Sequence, residues 1–164
     1  MDKVIATAAE AVADIPDGAS IASGGFGTCG IPAVLIDALA ESGISDLEIF
    51  SNNCGTAGIG LGKLMENRQI RRIVGSYVGE NKEFARLSGE LDVVVTPRGT
   101  LAKRLRAAGA GKPAFCTLTG MGTQVAAGGL PWRHGEGDSI ILASPPKLTS
   151  DFNRLRIAST VGNR

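Results

Sequence analysis

The sequence predicts an α/β fold: an open, mostly parallel sheet with helices on both faces. Short, continuous apolar runs suited to strands buried on both sides alternate with segments of helical period. The strand–loop–helix unit recurs four times, the pattern of a covered parallel sheet. Glycine is the third sign. There are 23 among 164 residues, roughly double the ordinary share, and many fall in loops that directly follow strands.

Residues 4–15 set Val4, Ala8, Ala11, Val12 and Ile15 at helical spacing, and Pro16-Asp17-Gly18 ends the pattern. Residues 19–23 form a short strand that runs into Gly24-Gly25-Phe26-Gly27-Thr28-Cys29-Gly30. Pro32 suits the start of a helix, where its missing N–H costs nothing; that helix carries Val34, Leu35, Leu39 and Ala40 up to Ser42-Gly43. Residues 47–51 are the next strand, followed by Asn52-Asn53-Cys54-Gly55 and a glycine-studded stretch to Gly62. A third strand lies within 70–77, and a short polar helix is expected over 81–88. Residues 91–96 make the clearest strand and lead into Pro97-Arg98-Gly99; residues 100–108 follow as a helix with Leu101 and Leu105 on one face. Residues 114–116 and 139–143 are two further strands. One domain is expected, with no internal repeat and no linker within 1–147. Ligands of such sheets sit at the carboxyl ends of the strands, which directs attention to three loops: 24–30, 52–55 and 97–99.

Composition narrows the function. Seventeen Lys and Arg against 16 Asp and Glu leave a net charge of +1, which lacks the basic footprint of a nucleic-acid binder. No block of like charge suggests a membrane surface. The apolar runs fall far short of the ~20 residues of a membrane span, and the N-terminal residues lack the apolar segment of a signal peptide. The three cysteines, Cys29, Cys54 and Cys116, form no metal-ligand pattern and suit a reducing cytoplasm.

Residues 24–30 form the strongest motif. Its glycines let backbone N–H groups approach a ligand closely, and the following helix N-terminus adds partial positive charge. A phosphate, a carboxylate or a developing oxyanion would fit, and so would a tight turn with no ligand. The loop is not a P-loop, because no Gly-Lys-Ser/Thr follows. Gly25-Phe26-Gly27-Thr28-Cys29-Gly30 spells GxGxxG, but Ser51-Asn52-Asn53 stands where a dinucleotide site needs an acid. Glu80 fits the start of a solvated helix, Cys54 a small buried residue, and His134 an exposed turn over 133–138. None of the three is assigned catalysis.

Asp17-Gly18, an apolar strand and Gly24-Gly25-Phe26-Gly27-Thr28-Cys29-Gly30-Ile31-Pro32 together resemble the signature of family I CoA-transferases, in particular the alpha chain of the two-subunit succinyl-CoA:3-ketoacid (acetoacetate) type. Ser51-Asn52-Asn53-Cys54-Gly55, Ser76-Tyr77-Val78-Gly79-Glu80-Asn81, Thr96-Pro97 with Gly99-Thr100-Leu101-Ala102, and Gly129-Leu130-Pro131-Trp132-Arg133 follow in family order. The resemblance implies an open α/β subunit over 1–153 that works with a beta subunit. It assigns coenzyme A to Gly24, Gly25, Phe26, Gly27, Thr28, Cys29 and Gly30. It places the nucleophilic glutamate on the partner, so no catalytic residue is expected in this chain. That glutamate would attack an acyl-CoA, pass through an anhydride and become a glutamyl-CoA thioester that serves a short 3-oxo acid. Asn52, Asn53 and Arg98 are the substrate-binding candidates. No metal or resident cofactor is implied, since coenzyme A comes and goes as a thioester substrate; a cytoplasmic, heteromeric enzyme of ketone-body metabolism is.

Three departures stand out. Arg98 replaces the glutamine of the family's Thr-Pro-Gln-Gly-Thr loop, and it could grip a carboxylate or block the pocket. Cys116 and Leu118 replace tyrosine and proline, and the segment around 84–88 is about two residues short. Residues 154–164 form a divergent tail, and the chain is expected to stop short of the family's last strands. A truncated, non-catalytic CoA- or partner-binding remnant is therefore the alternative reading. A sugar-phosphate isomerase would need an acid/base pair in a strand-end loop, and the sequence offers none.

Overall fold

The structure, a computed structural model, describes residues 5–79, 81–82, 89–124, 130–134 and 137–143. It falls into two compact units, one reaching Val95 and the other running from Thr96 to Lys147.

The first unit opens on α1 (Ala8–Val12), whose start is fixed by Thr7: its Oγ1 accepts the Glu10 N–H at 3.2 Å, a side-chain cap on an otherwise orphan donor. Then come β1 (Ser20–Ser23), α2 (Ala33–Ser42), β2 (Leu47–Ser51), α3 (Leu61–Glu66), β3 (Ile70–Gly75) and β4 (Asp92–Val95). Helix α2 ends at Gly43 in the left-handed conformation, φ 74°, the usual stop. The four strands are parallel and pair in the order β1-β2-β3-β4, the parallel sheet that the sequence predicts.

That order never reverses, so right-handed crossovers bring the connections to one face. The described helices follow suit. Ala11 and Val12 of α1, Leu35, Ile36 and Leu39 of α2, and Leu61, Leu64 and Met65 of α3 share one core with Ile21, Ile49 and Ile73, which are register partners on adjacent strands. Each Val, Leu, Ile or Met side chain among them contributes about 1.5–3 kcal/mol when withdrawn from water. The helix expected over 81–88 lies outside the described residues except at Asn81 and Lys82. No described helix of this unit belongs to a second layer.

Side chains alternate along strands, and the opposite face carries two cross-strand rows. One is apolar: Ala22, Phe50, Val74 and Val94, with Phe50 and Val74 fully buried. The other is polar: Ser20, Glu48, Arg72 and Asp92. Ser20 Oγ donates to Glu48 Oε2 at 2.7 Å, and Arg72 reaches Glu48 Oε1 at 3.4 Å and Asp92 Oδ2 at 3.2 Å. Glu48 is buried, and this row supplies its partners.

The second unit holds α4 (Arg98–Gly109), β5 (Ala114–Thr117), β6 (Leu130–His134) and β7 (Gly137–Ala143). Its strands form a separate antiparallel sheet in the order β5-β7-β6, which the sequence does not separate from the parallel one. Only two residues join β6 to β7, too few for a parallel crossover. Pro131 sits in β6, an edge strand, where a missing N–H is tolerated. His134 closes β6 opposite Gly137 instead of occupying a turn, and α4 starts at Arg98, two residues before the expected 100. The tail 154–164 and the family-like residues 147–153 lie outside the described residues.

Candidate functional site

The site builds from the backbone of two adjacent strand ends. β1 and β2 pair up to Ser23 and Ser51, and each is followed by a finger with a two-residue tip. In the first finger Phe26 and Cys29 bridge across Gly27-Thr28: Phe26 N–H donates to Cys29 O at 2.9 Å, and Cys29 N–H to Phe26 O at 3.0 Å. In the second, Thr56 and Ile59 bridge across Ala57-Gly58 with the single bond Ile59 N–H to Thr56 O, 3.1 Å. The sequence marks the first finger clearly and the second only faintly. Spacing is the fainter signal, since Gly25 and Gly30 recur as Gly55 and Gly60.

Glycine placement decides the two bends. Gly27 has φ 60° at the first tip position; in the second finger Gly58 has φ 69° at the second position. Positive φ at the first position matches a type II′ bend, whose twist suits paired strands and permits two cross-bonds. Positive φ at the second position matches type II, which splays the arms.

The first finger is open to ligands. Phe26, Thr28, Cys29 and Gly30 are exposed, and the N–H groups of Gly27, Thr28 and Gly30 donate to no acceptor among the described residues. The helix end behind it offers less than the sequence suggests. Ala33 N–H is spent on Ile31 O, and Leu35 and Ile36 N–H both donate to Pro32 O, all within 3.1 Å. The second finger is committed to the fold: Gly58 N–H donates to Glu66 Oε1 at 2.7 Å. A Cβ on Gly62 would stand 1.9 Å from Thr56 O, so α3 can pack against this finger only through glycine. This contact explains why the sequence does not announce α3, for Gly60 and Gly62 read there as breakers.

Between the second finger and β2 lies Asn52. Its carbonyl oxygen accepts Ser76 N–H at 3.0 Å and Tyr77 N–H at 3.1 Å. Ser76 Oγ stands 2.8 Å from both that oxygen and Asn52 Oδ1. Asn53 is buried and bridges Tyr77. Asn81, also buried, donates its amide to Cys54 O at 3.1 Å and meets Met65 Sδ at 3.4 Å, which ties this loop to α3. Sequence alone gives Ser76 and Asn81 no role.

Cys54 is almost wholly buried, and burial pushes its thiol up to about 11. It is a packed thiol, as expected, and not a nucleophile. Cys29 and Cys116 are exposed and unpaired. Glu80 lies outside the described residues. The first unit thus brings residues 24–30, Asn52 and Asn53 to neighbouring strand ends. Arg98 belongs to the other unit, where it is the exposed first residue of α4.

Among the described residues no three His, Cys, Asp or Glu gather to hold a metal ion, and no helix is long and apolar enough to cross a membrane. The family profile described as Coenzyme A transferase matches residues 5–163. A Mycobacterium tuberculosis protein, named as one subunit of a probable succinyl-CoA:3-ketoacid coenzyme A transferase, is 63% identical over 155 residues, which cover 93% of this chain and 62% of that protein. The human protein named "Succinyl-CoA:3-ketoacid coenzyme A transferase 2, mitochondrial" is 50% identical over 153 residues, 92% of this chain and 30% of its own length. Among solved structures, an acyl-CoA transferase apoenzyme from Escherichia coli O157:H7 superposes with a TM-score of 0.73 at 21% identity, over 86% of this chain and 32% of that one. The chain therefore spans about three-fifths of the mycobacterial relative.

Proposed function

The chain belongs to the coenzyme A transferase family, and from that premise we propose that it is the alpha half of a cytoplasmic, two-subunit enzyme. The enzyme moves coenzyme A from an acyl-CoA such as succinyl-CoA to a short 3-oxo acid such as acetoacetate. The partner, a beta chain, brings the nucleophile. Its glutamate carboxylate adds to the thioester carbonyl and expels the CoA thiolate, leaving an acyl-glutamyl anhydride. The thiolate then attacks the glutamyl carbonyl and releases the first acid as its carboxylate. The resulting glutamyl-CoA thioester hands coenzyme A to the second acid by the reverse steps.

A carboxylate is a weak nucleophile, so positioning and stabilisation of the tetrahedral oxyanion carry the rate. This chain's share is to supply donors without charge. The N–H groups of Gly27, Thr28 and Gly30, which donate to no acceptor among the described residues, serve coenzyme A, and the amides of Asn52 and Asn53 serve the reacting oxygens. Arg98, with its permanent charge and planar fork, is the candidate for the acid substrate's carboxylate.

The observation that carries this reading is the placement of an open glycine tip and a tethered asparagine on the ends of paired strands β1 and β2. The test is to copurify the chain with its beta partner, then follow acetoacetyl-CoA formation from succinyl-CoA and acetoacetate. Turnover is expected, reduced at least tenfold in Arg98→Ala. An intact complex that binds coenzyme A but transfers none would favour the binding module instead.

A further inference from the structure

Ser76 follows β3 directly and carries one hydroxyl proton, yet two acceptors stand 2.8 Å away: Asn52 O and Asn52 Oδ1. The carbonyl already receives the N–H groups of Ser76 and Tyr77 at 3.0 and 3.1 Å, and a carbonyl oxygen has two lone pairs. The hydroxyl proton therefore has an open acceptor only at Oδ1. Turning the amide round would make Ser76 Oγ the acceptor of an NH2 proton and send the hydroxyl proton either to Asn52 O as a third donor or out to solvent, since Ser76 is only half-buried. The orientation that keeps the hydroxyl bond inside the loop has Oδ1 toward Ser76, with the NH2 facing away and donating to no acceptor among the described residues.

We propose that Ser76 is a positioning residue, whose hydroxyl holds the Asn52 amide so that its NH2 is presented as a donor to a substrate oxygen that gains negative charge. The inference rests on the reading above that Asn52 meets the substrate. An amide held in advance needs no reorganisation when charge develops, so its benefit falls in the transition state. Loss of the tether then lowers kcat while KM for the acyl-CoA stays put.

In the two-subunit complex, Ser76→Ala is expected to lower kcat about ten- to a hundredfold, less than the ~10²–10³ typical of deleting an oxyanion donor outright. Ser76→Thr, which keeps the hydroxyl, restores most of the rate. The double variant Ser76→Ala/Asn52→Ala is no slower than Asn52→Ala alone, because Ser76 acts through Asn52. Additive losses, or a Ser76→Ala effect confined to KM, would overturn the proposal. A second readout needs no turnover: ¹⁵N relaxation of the Asn52 side-chain amide in the chain itself. An ordered amide that becomes mobile in Ser76→Ala supports the tether, and equal order in both sinks it. If the unaltered complex transfers no coenzyme A, the functional reading fails while the relaxation comparison still judges Ser76.

Discussion

At the scale of single residues, the sequence exposes identities and hides partners. Asn52 and Asn53 stand out as uncharged donors after a strand, but nothing in their neighbourhood names Ser76, 24 positions away, as the group that turns one of them. That relation exists only once β2 and β3 pair. Cys54 is readable as a packed thiol because it has no base beside it in sequence, and its burial bears this out. Its thiol, lifted from 9.0 to about 11 by desolvation, stays protonated in the fold while the unfolded chain ionises. Stability is thus fully present below pH 9 and drains as pH rises toward 11, by up to about 3 kcal/mol from this group. Cys54→Ala, less stable at neutral pH for its lost packing, should show a shallower alkaline decline in urea midpoints. At neutral pH, thiol reagents should modify Cys29 and Cys116 readily and Cys54 only on unfolding. Rapid labelling of Cys54 in the native chain would refute its burial.

At the scale of elements, most of the first unit is legible, because continuous apolar runs and glycine or proline stops mark β1, α2, β2 and β4. Helix α3 is not, since its glycines serve tertiary contact and not chain reversal. Gly62 and Gly24 separate the two uses of the residue. A methyl at Gly62 would press into the Thr56 carbonyl at 1.9 Å, whereas one at Gly24 meets nothing within 4 Å. Gly62→Ala is expected to destabilise the chain by about 3 kcal/mol or more through overpacking and backbone shift, and Gly24→Ala by less than ~0.5 kcal/mol. Thermal melts of the two variants check this, and equal melting points would contradict the packing described. Strand β6 escapes notice for another reason. Pro131 argues against a strand unless the strand is known to lie on an edge, and edge position is a property of the assembled sheet.

At the scale of the whole molecule, the α/β class and the parallel sheet can be read from the order of elements, while the separate antiparallel sheet of the second unit cannot. Strand direction there follows from a two-residue connection whose flanks look like turn residues. The polar row Ser20–Glu48–Arg72–Asp92 is equally hidden, because its members are scattered among apolar runs and meet only through register. It holds a buried carboxylate across all four strands. Arg72→Met leaves Glu48 without its cation but with its Ser20 hydrogen bond, and because the Arg72 side chain is 36% exposed it should cost about 1–3 kcal/mol. Arg68→Met removes a salt bridge whose partners are 71% and 65% exposed, and should cost about 0–1 kcal/mol. Chemical denaturation of both variants decides it; matching losses would mean that the row contributes no more than surface charge.

The two fingertips differ in which of two neighbouring positions carries glycine, and that single difference sets the hand of each loop. Exchanging the order within a tip, Gly27→Thr with Thr28→Gly, would recast the front loop in the mould of the rear one. Its arms would open and one cross-bond would be lost, with no atom added to or removed from the tip. The chain thus carries its own mirror control: a permutation that keeps composition fixed and varies only shape, against which any demand for ligand can be read.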